Sequence, residues 1–351
     1  MAIPPQCSEA NQRIVITLGD PAGIGMEVTL KALASSDLPA DLNPKLIGCR
    51  NSLEHTHAQL KAKGVIELAN PKNLDIEDIP VQEIPEPGQP TAQTGAISFQ
   101  WLTQATEIVM RNQARALVTA PIAKHAWHAA GHHYPGQTER LSELAGANWK
   151  ASMLFTAISP HSKWRLNTLL ATTHIPLASV PTEITPELLI DKLNELKVFC
   201  QRFSSHPHLA VAGLNPHAGE QGKLGNEEIE WLIPVLDKWK KNHPNVHLQG
   251  PLAPDTCWLS AARAWHGLTN ESPVPDGILA LYHDQGLIPV KMLAFDEAVN
   301  TTLGLPFLRT SPDHGTGFDI AGHGRARANS MVAAINAAWE LTTSPGSTNS
   351  A

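Results

Sequence analysis

The sequence predicts an α/β fold with mostly parallel sheet covered by helices on both faces. Its short strands are apolar throughout rather than alternating, as in strands buried on two sides. Amphipathic helical stretches are interleaved with them in a recurring order of strand, loop and helix. The 351 residues are enough for two lobes or one large α/β unit, since compact domains usually run to roughly 100–200 residues.

The first strand is "RIVITLGD" (13–20), a β-branched run that stops at Gly19-Asp20, and helical periodicity begins in "GMEVTLKALAS". "PKLIGCR" is then a strand before the helical "SLEHTHAQLKAKG". The stretch 70–90, "NPKNLDIEDIPVQEIPEPGQP", is rich in proline and acid and reads as a surface excursion. "AISFQWLTQATEIVMRNQ" is a helix before the strand "ALVTAP". A later helix starts with Thr185 as N-cap and Pro186 at its first position, with Leu189, Leu193, Leu196, Cys200 and Phe203 along one face. The strands "HLAVAGL" and "GILALYH" follow, and the closing "LTTSPGSTNSA" reads as disordered. No internal repeat is present.

Composition narrows the function classes. With 26 basic and 33 acidic residues the formal net charge is −7, and the longest basic cluster, "DKWKK", reads as the solvated end of a helix, so nucleic acid is not an expected partner. Four scattered cysteines without a C-x-x-C pair fit neither a disulfide scaffold nor a zinc ribbon, and suit a reducing cytoplasm. The first twelve residues lack a basic segment followed by an apolar one, and no stretch approaches the roughly 18 apolar residues of a membrane span. A soluble cytoplasmic chain with a short disordered tail over residues 1–12 is expected.

Ligands of open α/β sheets bind beyond the carboxyl ends of the strands. The strand ends read "ITLGDPAGIG", "LVTAPIAKH", "LLATTHIP", "VAGLNPHAGE" and "LALYHDQG", which sends Asp20, Lys124, His174, His217 and His283 toward one rim. Each histidine alone reads also as a strand-end residue bonded to nearby backbone. Three together suit a divalent metal, which imidazole binds well and which needs three protein ligands and an open position for catalysis. "GDPAGIG" matches neither G-x-G-x-x-G nor a P-loop and reads as a tight strand-to-helix turn. "DHGTGFDIAGHGRARA" reads as a flexible glycine-rich loop able to bring backbone N–H groups to a phosphate or ribose. Lys291, Asn300 and Arg309 lie in a largely apolar segment; they suit either pairing with nearby acids or an anion cradle.

In this order the motifs resemble the 4-hydroxythreonine-4-phosphate dehydrogenase family of pyridoxal phosphate biosynthesis. The resemblance runs from "ITLGDPAGIG" through "VTAPIAK", "PGQTERL", "TTHIPL", "GLNPHAGE", "GPLAPDT" and "YHDQGLIPVK" to "NTTLGLPFLRTSPDHGTGFDIAG". It implies a two-lobed isopropylmalate-dehydrogenase-like fold with the active site in the inter-lobe cleft. The lobes are expected at residues 13–135 plus 305–345 and at 136–304, the latter with the metal and substrate site. It makes His174, His217 and His283 ligands of one divalent ion (zinc, magnesium, cobalt or manganese). Gln137, Thr138, Lys291, Asn300 and Arg309 fall on substrate-binding positions, and Asp255 and Lys291 are candidates for proton handling. Gly315, Thr316, Asp319 and Gly322 fall on a cofactor loop for NAD or NADP.

The implied reaction is oxidation of 4-phosphohydroxy-L-threonine and decarboxylation to 3-amino-2-oxopropyl phosphate, in a homodimer whose partner supplies His283. Two positions depart from the family pattern: Gln137 stands where histidine is usual and Ala123 where asparagine is common. Gln137 keeps open a sibling dehydrogenase acting on threonate or erythronate phosphate or a cyclic diol carboxylate. A phosphate acyltransferase of related fold and a non-enzymatic metal- or phosphate-binding module are the other readings.

Overall fold

A computed structural model describes residues 13–269 and 273–343; the expected tail at 1–12 and the chain end at 344–351 lie outside the described residues. Among the described residues eleven strands follow in chain order. They are β1 (Arg13–Thr17), β2 (Asn43–Gly48), β3 (Asp75–Asp78), β4 (Ala116–Thr119), β5 (Ser152–Ile158), β6 (Arg165–Leu170), β7 (His208–Ala212), β8 (His247–Leu252), β9 (Gly277–Ala280), β10 (Val299–Leu303) and β11 (Leu308–Pro312). The chain divides into two compact units, Met1–Ala151 with Val299–Ala351, and Ser152–Ala298. Residues 136–151 and 299–304, expected in the second lobe, therefore group with the first, taking Gln137, Thr138 and Asn300 with them. The physical reason is packing: the helix Gln137–Ala145 contacts the helix Ala92–Met110, and β10 pairs with β11.

In the first unit the strand order is β3-β2-β1-β4-β11-β10, all parallel except the β10/β11 pair. Ile14, Val15 and Ile16 of β1 are wholly buried, as unbroken apolar strands between helical layers must be. The chain steps from β1 to β2 and β3 on one side and returns with β4 on the other, so the order reverses beside β1. Strand β3 corrects the expectation of a bare surface excursion: "DIED" pairs in parallel with β2, Ile76 buried and the acids outward. An edge strand tolerates such charge because only one of its sides is paired.

In the second unit the order is β5-β6-β9-β7-β8, parallel except for β5/β6. The helix Pro186–Cys200 starts as expected, the Thr185 side chain accepting the Leu188 N–H at 3.2 Å. Phe203 lies beyond its end and is exposed, unlike Leu189, Leu193, Leu196 and Cys200. At the chain's other end Leu341 is buried in the helix Asn329–Thr342, so the expected disorder does not begin there.

The turn after β1 is built for close approach. A Cβ on Gly25 would lie 2.2 Å from the Leu18 carbonyl oxygen, and Gly19 has φ +72°. Asp20 is buried there, accepting the Ala22 N–H at 2.9 Å and the Thr94 hydroxyl at 3.3 Å. Thr94 also closes a capping box with Thr91 at the start of the helix Ala92–Met110. One turn on, a Cβ on Gly95 would lie 2.1 Å from the Ala126 carbonyl oxygen, which lets the helix Lys124–Ala129 seat directly on this one.

Gly95→Ala should therefore destabilise the fold by at least about 1–3 kcal/mol through backbone overpacking, measured by urea unfolding. Asp20 gives a pH prediction. Desolvation holds its carboxyl above the usual carboxylate range, against the opposing effects of the Ala22 and Thr94 hydrogen bonds and the His125 charge. A raised carboxylate contributes stability that is complete at low pH and lost as pH rises through the raised value. Asp20→Asn should flatten that loss and unfold at an equal or higher temperature at neutral pH; a lower midpoint there would contradict it.

Candidate active site

The three candidate metal-ligating histidines leave three neighbouring parallel strands. In the order β6-β9-β7, the loop after β6 carries His174, that after β9 carries His283 and that after β7 carries His217. They stand three to five residues beyond the strands, because each loop first spends residues on tying itself to its neighbour. The Thr172 hydroxyl donates to the Leu281 carbonyl at 2.8 Å, joining the first loop to the second. Gln285 accepts the Leu281 N–H and donates to the Gly213 carbonyl, both at 2.7 Å, joining the second to the third.

Within one chain His174 and His283 stand together, ring centres 5.4 Å apart. Two imidazoles bound to one tetrahedral ion at about 2.1 Å have ring centres about 5 Å apart, so this pair fits a shared divalent metal. His283 Nδ1 donates to the Asp284 carboxylate at 2.7 Å, which leaves Nε2 for a ligand. His283 opens the helix His283–Ala294 rather than ending a strand. His217 is exposed and not gathered with the pair: among the described residues no group of three His, Cys, Asp or Glu side chains is close enough to hold an ion.

His217 belongs to an unusual turn. From His217 to Gln221 five consecutive residues have left-handed backbone, with φ between 42° and 79°. Only Gly219 among them is free of the roughly 1–2 kcal/mol that this conformation costs other residues. The turn is backed by Glu228, wholly buried, whose carboxylate accepts the N–H groups of Leu214 and Asn215 and the Asn215 side-chain amide, each at 2.8 Å. Glu228 begins a wide π-helical turn, Glu228–Leu232, that runs into the helix Ile233–Asn242.

In the first unit Arg309 on β11 is buried, and its guanidinium bonds hydroxyls only. Nε and Nη2 donate to Thr119 Oγ1 at 2.9 and 2.6 Å, and Nη1 to Thr302 Oγ1 at 3.2 Å. Desolvation lowers its pKa to about 10, with Glu139 acting in the opposite sense. A buried cation answered only by hydroxyls is suited to an anionic ligand. Beside it, Gln137 opens the helix Gln137–Ala145 and donates through Nε2 to the Ala120 carbonyl at 3.2 Å. A carbonyl only accepts, so the amide's orientation is set, and its Oε1 is a buried acceptor without a partner among the described residues. Asn300 Oδ1 is another. Thr138 is half-buried in the first turn of the same helix, and Lys124 is exposed at the start of its own.

The glycine-rich loop is pinned, not flexible. Lys63 donates to the Gly322 carbonyl at 2.6 Å, and Lys31 donates to those of Gly324 and Ala326 at 2.9 and 2.7 Å. Glu27 receives both the Ala326 N–H and the Lys31 ammonium. The Thr316 carbonyl accepts the Ile24 N–H at 2.9 Å, which seats the loop on the "GDPAGIG" turn. A Cβ on Gly315 would meet nothing within 4 Å, leaving backbone open to approach, and Asp319 is exposed; both suit a nucleotide.

Lys291 is exposed two turns into the helix His283–Ala294, its ammonium 5.9 Å from the Phe295 ring. Asp255 is exposed before the helix Leu259–Trp265, where its charge adds to the burial that pushes the Cys257 thiol up to about 12. Thr119, Thr302, Thr172, Gln285 and Glu228 were not expected. Thr119, Thr172 and Gln285 lay inside the strand-end stretches "LVTAPIAKH", "LLATTHIP" and "LALYHDQG", and Thr302 inside "NTTLGLPFLRTSPDHGTGFDIAG", while Glu228 lay in none of the motifs.

Residues 31–338 match the family described as pyridoxal phosphate biosynthetic protein PdxA. A protein of Synechococcus sp. (strain RCC307) named 4-hydroxythreonine-4-phosphate dehydrogenase is 61% identical over 329 residues, 94% of this chain and 99% of its own. A D-threonate 4-phosphate dehydrogenase of Pectobacterium atrosepticum is 36% identical over 341 residues, 93% of this chain and 98% of its own. The crystal structure of 4-hydroxythreonine-4-phosphate dehydrogenase from Klebsiella pneumoniae superposes with a TM-score of 0.78 at 33% identity, over 95% of this chain and 99% of that one. The α/β fold and the family resemblance are both borne out, and the chain belongs to the PdxA family of pyridoxal phosphate biosynthetic proteins.

Proposed function

We propose that this protein oxidises 4-phosphohydroxy-L-threonine with a nicotinamide cofactor and decarboxylates the product to 3-amino-2-oxopropyl phosphate. The observation that carries this reading is Arg309, a buried guanidinium bonded only to hydroxyls, which suits the phosphate or carboxylate of such a substrate. The family and the name of the 61% identical relative support it.

His174 and His283, whose rings stand together, would hold a divalent ion, with His217, which stands apart from them in this structure, as the proposed third ligand, and the loop with Gly315, Thr316, Asp319 and Gly322 would hold NAD or NADP. When bound, the ion supplies Lewis acidity at the reacting oxygen and the nicotinamide supplies the hydride acceptor. Arg309, Thr138 and Asn300 bind and orient the substrate, and Gln137 Oε1 accepts a hydrogen bond from it. Lys291 and Asp255 handle protons. The hydroxyl gives up one proton as the carbinol carbon gives up hydride, and after carbon dioxide leaves, the new carbanion takes one proton back. One side chain can thus serve both steps with no net proton released.

A second reading is oxidation of D-threonate 4-phosphate. Gln137 keeps it open, since its acceptor, without a partner among the described residues, takes a hydroxyl as readily as an ammonium, and a relative at 36% identity bears that name. Self-association as a homodimer is also proposed. Ile288 and Met292 of the helix His283–Ala294 and Phe295 at its C-cap, 58%, 81% and 62% exposed, follow one another at the spacing of one helix face. Among the described residues no helix is long and apolar enough to cross a membrane, and Cys49, Cys200 and Cys257 are unpaired, which supports the cytoplasm as its place.

NAD reduction with 4-phosphohydroxy-L-threonine should be rapid with added divalent metal and abolished by chelation. Reduction with D-threonate 4-phosphate alone would establish the second reading instead. Arg309→Met should keep or raise the unfolding midpoint, because Glu139, the carboxylate that acts on it, is exposed and is not stranded in the interior, while kcat/KM falls about 100-fold through loss of charge-assisted bonds of roughly 3 kcal/mol. Met292→Glu should shift the protein from dimer to monomer in sedimentation; an unchanged dimer would place the interface elsewhere.

A further inference from the structure

We infer that Glu228 is a positioning residue whose task is to hold the left-handed turn that aims the His217 imidazole. This rests on the proposal that His217 is a metal ligand. The His217 ring is held only loosely by its neighbours: Nδ1 lies 3.8 Å from Glu220 Oε2, too long for a hydrogen bond, and the side chain is 64% exposed. Its direction is therefore set by the backbone, and the backbone from His217 to Gln221 is in a conformation that four of its five residues disfavour. Something must over-determine that turn.

Glu228 has the geometry for it. The carboxylate is wholly buried and pairs with no cation among the described residues; its hydrogen bonds all go to Leu214 and Asn215, directly ahead of the turn. A buried carboxylate without a cation is costly unless its lone pairs are filled, and here the loop alone fills them. The contact is tight on both sides. A Cβ on Gly219, inside the turn, would lie 2.8 Å from Glu228 Oε2, and one on Gly225 would lie 2.3 Å from Asn215 Nδ2. Asn215 extends the clamp by donating to Glu227 at 2.7 Å. The loop is thus pressed between a carboxylate and glycines that leave no slack.

The test is titration of the full-length, metal-stripped protein with Co(II), read by visible absorption and calorimetry, for wild type, His217→Ala, Glu228→Gln and Asn215→Ala. Glu228→Gln keeps the shape but sets an amide N–H against donor groups. Expected is a loss of Co(II) affinity of about ten- to hundred-fold with a changed absorption band, approaching that of His217→Ala, while the metal-free protein stays folded by far-ultraviolet circular dichroism. Asn215→Ala removes only the side-chain part of the clamp and should show a smaller loss in the same direction, which keeps the test valid if Glu228→Gln does not fold. Affinity within twofold of wild type in the clamp variants, with His217→Ala strongly weakened, would overturn the positioning role alone. Unchanged affinity in His217→Ala would remove His217 from the ligand set and take this inference with it.

Discussion

Peptide groups that leave a buried parallel sheet must find hydrogen bonds without water, and this constraint organises the carboxyl ends of the strands. Each important loop there is closed by a buried side chain. Asp20 takes the Ala22 N–H after β1, Glu228 takes Leu214 and Asn215 after β7, and Gln285 links Leu281 after β9 to Gly213 after β7. Glu27 and Lys31 do the same for the loop that ends at Ala326, although neither sits on that loop. The candidate reactive groups project from loops held in this way.

The same constraint separates two kinds of polar residue. Asp20, Glu228 and Gln285, which close loops, have their hydrogen bonds answered within the protein, whereas Glu27 keeps one buried carboxylate oxygen without a partner among the described residues. Arg309, Gln137 and Asn300 retain capacity that is not fully answered among the described residues: a cation bonded to hydroxyls and two buried acceptors without partners. Unfilled capacity on buried groups is expensive to maintain and is expected where a ligand completes it. In Arg309, Gln137 and Asn300 such capacity falls on residues that the family motifs also contain, and the two together support them as substrate candidates.

The alternation of strand and helix was legible because unbroken apolar runs and 3.6-residue periodicity are written directly into the chain, as in "RIVIT" and in the Thr185-capped helix. Strand β3 was not, because an edge strand such as "DIED" can be acidic and still pair. The histidines were legible as chemistry through their place at strand ends and through the family motifs, but the chain does not state how far each loop travels before presenting its ring. Glu228, Gln285 and Thr172 were invisible for a different reason. Their partners are backbone amides and carbonyls, which every residue carries, so no spacing or residue type marks the pairing. Gln137 was visible as a departure, yet only the Ala120 carbonyl shows which end of its amide is left over.

The wide turn at Glu228–Leu232 alters the helical phase. An α-helix advances about 100° per residue, and a π turn inserts one extra residue before the α-helical rhythm resumes. Leu232, Leu236 and Trp239 follow the phase required by the core. Glu228 stands four residues before Leu232, and the extra residue of the wide turn changes the direction its carboxylate takes relative to that stripe. One helix can in this way carry its apolar stripe downstream and turn a buried carboxylate upstream to Leu214 and Asn215. Sequence on either side of the turn is then free to vary under two separate rules, packing downstream and loop capture upstream.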